Sequence, residues 1–358
     1  MNRKSPSGSA ALTCLKVVAS LVFLSSTLLA ADPVVSNVQG LQRPGTKLVD
    51  ITYDVTADTP TVGVTLRISS DGGATFDVPA TTLSGAVGPN VPVGTGKVIT
   101  WNAGTDWLGN YSTAMRFEVK VDDGVAPEGF AYVAAGALPV SSWAGAQTVD
   151  AFFMAKTEVT WAEFQTVRTW AAANGYDIDS VGAGTGLNRP VTDVSWYETL
   201  KWCNARSEKE GLTPVYKVGT AVYRTGDAIP TVDATANGYR LPSEKEWEFA
   251  ARGGLKTNGY EYSGSNDVNA VAWYLSNSGG SNQDVATKLA NELDLSDMSG
   301  NVSEWCFDDW EDLGQVRVHR GSNWNDGPFY CRVASRAGWG AGSKGYPIGF
   351  RVARSSVP

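Results

Sequence analysis

The sequence is short of the side chains on which much protein chemistry rests. Its 358 residues include one histidine, His319, and four cysteines. A single imidazole excludes a three-histidine metal centre, a two-histidine iron site and a zinc site with paired histidines. Four cysteines are too few to staple a chain of this length into a disulfide framework. The apolar stretch Val17–Ala30 falls below the roughly 20 residues that a membrane-crossing helix needs. Chemistry here must therefore rest on carboxylates, hydroxyls, indoles, arginines and a few thiols. The chain does hold ample core material, 42% hydrophobic against 18% charged residues, and its length fits two domains.

The N-terminus is expected to be a signal peptide over residues 1–31. Arg3 and Lys4 supply the basic region, Val17–Ala30 the apolar one, and Ala30 and Ala31 the small residues a peptidase accepts. An uncleaved anchor is the alternative. Cys14 precedes the apolar run, so it cannot be a lipoprotein cysteine. Removal of 1–31 leaves 26 basic against 37 acidic residues, a net charge of −11, in a secreted, periplasmic or cell-envelope protein with no transmembrane helix. That acidity disfavours nucleic acid and anionic membranes as partners. Cys203, Cys306 and Cys331 remain, an odd number for an oxidising compartment.

Residues 32–125 read as an all-β sandwich. Val49, Ile51, Tyr53 and Val55 alternate with polar residues, as do Val62, Val64, Leu66 and Ile68, and Met115, Phe117, Val119 and Val121. Period two places one set in a core and the other in water. Asp71-Gly72-Gly73 supplies a tight hairpin, and short strands over about 90 residues point to an immunoglobulin-like or fibronectin-like sandwich. Ser69–Phe76 is similar to the Asp-box of sialidase propellers. A propeller needs repetition and one copy is present, so the segment is expected to be a hairpin element only.

Asp122–Gly129 breaks the alternation and reads as a linker. Eleven of the 13 tryptophans follow it. Three helices are predicted there by their starts: Thr160 with Glu163, Ser195 with Glu198, and Ser243 with Glu246. Each pair spaces a hydroxyl and a carboxylate to satisfy first-turn amides reciprocally. Cys203 falls on the apolar face of the second helix, as a buried inert thiol. From Gly253 to Pro347 loop signals dominate, so buried backbone must be satisfied by aspartate turns, side-chain amides or bound cations.

Gly238–Gly254, which reads GYRLPSEKEWEFAARGG, resembles the formylglycine-generating enzyme family, the sulfatase-modifying factors. Further blocks agree in family order: Glu158–Thr160, Pro190–Trp196, Asp297–Trp305, Arg320–Trp324 and Gly349–Ala353. The resemblance covers 130–354. It implies a C-type-lectin-like α+β fold with little regular secondary structure, following the immunoglobulin-like sandwich.

In the enzymes of this family, two cysteines bind copper(I) and, with oxygen, convert a substrate cysteine to formylglycine. Soft thiolates suit that ion. Here Asp326 stands near the first cysteine's place, Cys331 belongs to the following Arg332–Arg336 element, Asn323 replaces a serine and Ser303 a tryptophan. The resemblance thus implies that copper is not used, and that Ser303, Asn323, Trp324, Asp326 and Arg336 line a groove for an exported peptide, protein or glycan. An active oxidoreductase that modifies exported proteins such as sulfatases is the alternative, and a structural component of an envelope assembly is a further one. The resemblance also implies structural calcium on Asp297, Glu304 and the carbonyls of Gly300 and Val302. The family's second calcium site is expected to be lost, with Val271 at an asparagine position. Cys306 and Cys331 are expected to form a disulfide, with a Cu(I) thiolate pair as the alternative. The acidic run Asp308, Asp309, Glu311 and Asp312 is expected to be a solvated loop, or else a receiver for a basic peptide. His319, on a strand by alternation, is expected to be packed or exposed rather than a general base.

Overall fold

A computed structural model describes residues 1, 33–143, 145–345 and 347–356. The expected signal peptide lies outside the described residues, except for Met1. The N-terminal part is built from seven strands: β1 (Val34–Gln42), β2 (Leu48–Thr56), β3 (Thr61–Ser69), β4 (Leu83–Gly85), β5 (Gly88–Pro92), β6 (Gly94–Asn102) and β7 (Arg116–Asp122). They form two antiparallel sheets, ordered β1-β2-β6-β4 and β5-β3-β7. The alternating residues meet between the sheets. Ile51 pairs in register with Ile99 and Val64 with Val121, and all four join one buried cluster with Tyr53, Ile68 and Trp101. Gly72 and Gly73 after β3 take the expected positive φ, 83° and 102°, but close a wide turn ending in the isolated Ile68–Val78 bridge rather than a tight hairpin, with Asp71 accepting from the Thr75 amide at 2.9 Å and from Ser69 Oγ at 2.7 Å. Those bonds hold its carboxyl well below the usual range.

The remainder is a mixed α+β unit. Each predicted helix begins at its box: α1 (Trp161–Ala173) at Thr160, α2 (Trp196–Lys209) at Ser195 and α3 (Glu244–Ala251) at Ser243. At α3 the Glu246 amide donates to Ser243 Oγ at 3.3 Å and the Ser243 amide donates back to Glu246 at 2.8 Å. Strands β8 (Phe130–Val133) and β9 (Phe152–Ala155) form one small sheet with a C-terminal strand. The stretch expected to be mostly loop holds more order than its composition predicts. Strands β10 (Ser303–Asp309), β11 (Val316–Arg320) and β12 (Arg336–Gly340) lie in it, with the short strand β13 (Ile348–Gly349) parallel to β10. The C-terminal strand beside β9 is β14 (Ala353–Ser355).

Tryptophan N–H groups and buried amides tie the loops between these elements. Trp196 donates to the Cys306 carbonyl at 2.9 Å and Trp305 to that of Val194 at 3.0 Å. Asn291 accepts from the Leu293 and Leu295 amides and donates to the Ala250 carbonyl. Loops so tied can be buried without orphaned backbone groups. They carry the site.

Candidate functional site

The β10–β11–β12 sheet and the loop after β11 enclose a cavity of about 320 Å³. Ser303, Asp326 and Arg336, all expected there, line it together with His319, Arg320, Ser322 and Tyr330. Asn323 and Trp324 do not, which corrects the expectation for these two residues. Asn323 is wholly buried beneath the cavity and donates to Asp326 Oδ2 at 2.6 Å and to Ser303 Oγ at 3.3 Å. Trp324 serves through its backbone, which donates to the Asn301 carbonyl and accepts from Ser278 Oγ.

Asp326 is fixed. Its Oδ2 also accepts from Ser322 Oγ at 3.0 Å. Arg336 is a wall rather than a free charge: its fork meets Glu244 at 2.7 and 2.9 Å, and its guanidinium lies 3.3 Å from the Trp143 ring centre and 4.1 Å from that of Trp310. Arg320, wholly buried, pairs with Glu248 at 2.8 Å, but its Nε has no hydrogen-bond partner among the described residues. The two guanidiniums are thus matched by Glu244 and Glu248. Tyr330 of the lining is 57% exposed, and next to it Phe329, 61% exposed, meets its ring edge to face.

His319 is packed, in line with one of its two expectations, yet it also lines the cavity. Burial first, then the neighbouring Arg320, pushes its pKa down to about 4, so the ring is neutral near pH 7. Sequence reasoning gave Arg320, Ser322 and Tyr330 no role. Arg320 and Ser322 stand inside a quoted family block, which was the available signal.

The expected calcium ligands fall in a second buried centre. Asp297 Oδ2 accepts from the Ala286 amide at 2.7 Å, while its Oδ1 is buried without a hydrogen-bond partner. Glu158, also buried, accepts from the Asn301 side chain and the Val302 amide. At Glu304, Arg351 and the Trp247 indole donate to both oxygens, so a cation there would share them. Burial raises Asp297 to about 6 and pushes Glu158 well above the carboxylate range, with the nearby carboxylates adding to the Glu158 shift. Three carboxylates therefore face one guanidinium. The orphaned Oδ1, and carboxyls whose ionised form burial disfavours until a cation offsets it, suit a hard cation. No three His, Cys, Asp or Glu residues among those described are grouped to hold a metal, so backbone carbonyls would have to complete its shell. Val271 is buried among Tyr262, Ala272, Tyr274 and Cys331.

The expected disulfide is not formed. Cys203, Cys306 and Cys331 are free, buried thiols. Cys306 packs with Val318 and Val333 in one cluster and Cys331 with Tyr262 and Tyr274 in another, so two apolar environments separate them. Cys331 lies beside Ser322 and Asp326, and burial pushes its thiol up to about 12. The acidic run is not uniformly solvated either. Asp308 accepts from the Glu244 amide at 2.6 Å and Asp309 from that of Gly314, leaving Glu311 and Asp312 exposed.

Fold and site together define a loop-rich α+β domain of the formylglycine-generating type, with a polar cavity rimmed by aromatic rings. Residues 121–356 match the sequence profile of the sulfatase-modifying factor enzyme 1-like domain, and the chain belongs to that family. It is 34% identical over 238 residues to the chaperone protein LppX of Paenibacillus barcinonensis, covering 58% of this chain and 81% of that protein. It is 35% identical over 195 residues to the inactive C-alpha-formylglycine-generating enzyme 2 of Mus musculus, covering 49% of this chain and 53% of the mouse protein. The match therefore spans about half of that relative. Among solved structures, CarF superposes with a TM-score of 0.57 at 30% identity, covering 63% of this chain and 97% of CarF. Treponema denticola variable protein 1 does so with a TM-score of 0.52 at 29% identity, covering 66% and 96%. Among the described residues no helix is long and apolar enough to cross a membrane.

Proposed function

We propose that this is an exported binding protein whose family domain holds a peptide segment of another exported protein in the Ser303–Asp326–Arg336 cavity, without copper-dependent oxidation. The observation that carries this reading is Asp326. Asn323 and Ser322 pin its hard carboxylate in the cavity wall, and the family resemblance sets it near the position where the enzymes need a soft thiolate. The neighbouring thiol, Cys331, is buried and held protonated by its surroundings. The cavity offers hydroxyls, an unpaired Arg320 N–H and exposed aromatic rings, a donor and ring set that suits peptide backbone and side chains. The names of two relatives, one called inactive and one a chaperone, support the same direction. The seven-stranded part is assigned to the immunoglobulin-like class on its two-sheet layout, and calcium to the Asp297–Glu158 centre.

Two measurements test the function. Peptide arrays probed with the purified chain should show sequence-selective binding that Tyr330→Ser weakens. A sulfatase-type cysteine peptide incubated with the chain, Cu(I) and oxygen should keep its mass. Conversion of its cysteine to formylglycine would overturn the reading.

A further inference from the structure

The seven-stranded part carries a cavity of its own. It measures about 210 Å³ and opens at one end of the two sheets, beside the single-turn helix Ala103–Asp106. Its inner wall is Val49, Trp101 and Phe117, all part of the core between the sheets. Phe117 reaches this position because Gly40 has no side chain: a Cβ there would lie 2.2 Å from the ring. The mouth differs in character. Trp107 is half-buried and Tyr111 is 85% exposed, so both put aromatic surface within reach of solvent. Among the described residues the Trp107 indole N–H and the Tyr111 hydroxyl make no hydrogen bond, and Lys47 makes no ion pair. Trp101, by contrast, has its N–H satisfied by Asp106 at 3.0 Å.

No aspartate or glutamate lines the cavity. In a chain with 37 acidic and 29 basic residues, a lining whose one charged group is an unpaired ammonium departs from the surface around it. Ring faces offer contact to the C–H faces of a flat, partly apolar ring, and unpaired N–H and O–H groups seek acceptors. The volume holds one sugar-sized ring. We infer that this cavity binds an acidic pyranose unit of an extracellular polysaccharide, its ring against Trp107 and Tyr111 and its carboxylate or sulfate on Lys47. The N-terminal sheets, outside the family domain, then anchor the protein to an acidic glycan. This inference takes export from the proposed function but uses none of the residues of the peptide cavity, so either can fail without the other.

The test is titration calorimetry and tryptophan fluorescence on the whole chain with four probes: a galacturonate oligosaccharide, a heparin-derived sulfated oligosaccharide, a neutral β-glucan oligosaccharide and an apolar peptide. Binding of either acidic probe, at least tenfold tighter than the neutral one and quenching tryptophan, is the expected result. The two acidic arms tell a carboxylated ring from a sulfated one. Trp107→Ala should weaken that binding at least tenfold. Lys47→Gln, at an exposed position and with the aliphatic stem largely kept, should bring acidic and neutral affinities together. The inference is overturned if neutral and acidic sugars bind equally and Lys47→Gln changes nothing, if only the apolar peptide binds, or if no probe binds.

Discussion

Arg351 grips Glu304 with two hydrogen bonds, Nε to Oε2 at 2.7 Å and Nη2 to Oε1 at 2.6 Å, and both side chains are completely buried. Glu158 and Asp297 lie close enough to feel the same guanidinium. The two partners are therefore not equivalent. Removing Arg351 strands three carboxylates, whereas neutralising Glu304 leaves Arg351 facing two. Arg351→Met should lose about 3–5 kcal/mol, the range for a broken buried pair, and Glu304→Gln clearly less. Denaturant unfolding of both variants checks the order. Equal losses would show that the pair acts alone.

The same buried carboxyls make a calcium prediction with a sign change. Ca²⁺ should raise Tm and EDTA lower it, since the ion would stabilise the ionised forms of Asp297 and Glu158 that burial disfavours. Asp297→Asn keeps an acceptor for the Ala286 amide but removes a charge. That variant should be no less stable than the natural chain in EDTA and less stable in excess Ca²⁺. A Tm that ignores both EDTA and Ca²⁺ counts against the site.

Free thiols give a direct count. With residues 1–31 removed, the native protein should react with few or none of its buried thiols, and the guanidinium-unfolded protein with three. One reactive thiol after unfolding without reductant would restore the Cys306–Cys331 bridge.

What could be read from the residues was local or modular. The boxes at Thr160, Ser195 and Ser243 fixed three helix starts because hydroxyl and carboxylate act within one turn. The alternation through Ile51 and Val64 marked the inner faces of two sheets. Ser303, Asp326 and Arg336 were placed in one cavity by the resemblance, although 33 positions separate the first from the last. Long-range exclusions were beyond reach. Nothing near Cys306 or Cys331 says that they enter different clusters, and nothing near Glu304 says that Arg351 claims its oxygens. The resemblance puts Asn323 in the groove at a family serine's position, while its amide lies beneath and holds Asp326.

His319 predicts an acid-side loss of stability. Its folded pKa is lowered to about 4 from an ordinary 6.5. Between those values the unfolded chain takes up a proton that the folded chain refuses, so stability falls as pH drops from 6.5 towards 4 and is not affected further by this group below that. The contribution is at most about 3 kcal/mol. Asp297 and Glu158 titrate with the opposite sign, which is why the readout is a difference: His319→Gln should flatten the pH dependence relative to the natural chain across this window. Parallel curves would show that the imidazole charges without penalty, as an exposed histidine does.

Binding should be separable from folding at the cavity mouth. Phe329 and Tyr330 are mostly exposed, so replacing them removes little buried surface, and Phe329→Ser with Tyr330→Ser should shift stability by less than about 1 kcal/mol. Exposed aromatic rings at the rim of a polar cavity are the kind of residue that dominates the affinity of a peptide or protein contact, about 1–2 kcal/mol or more each when buried by a partner. The double variant should therefore lose tenfold or more in affinity for a peptide selected on arrays, with Tm nearly unchanged. Asp326→Asn separates charge from shape at the same cavity, since the amide oxygen can still accept from Asn323 and Ser322. It should weaken peptides with a lysine or arginine at the contacting position and leave neutral ones alone. Unchanged affinity in both variants, with the fold intact, would place peptide binding somewhere other than this cavity.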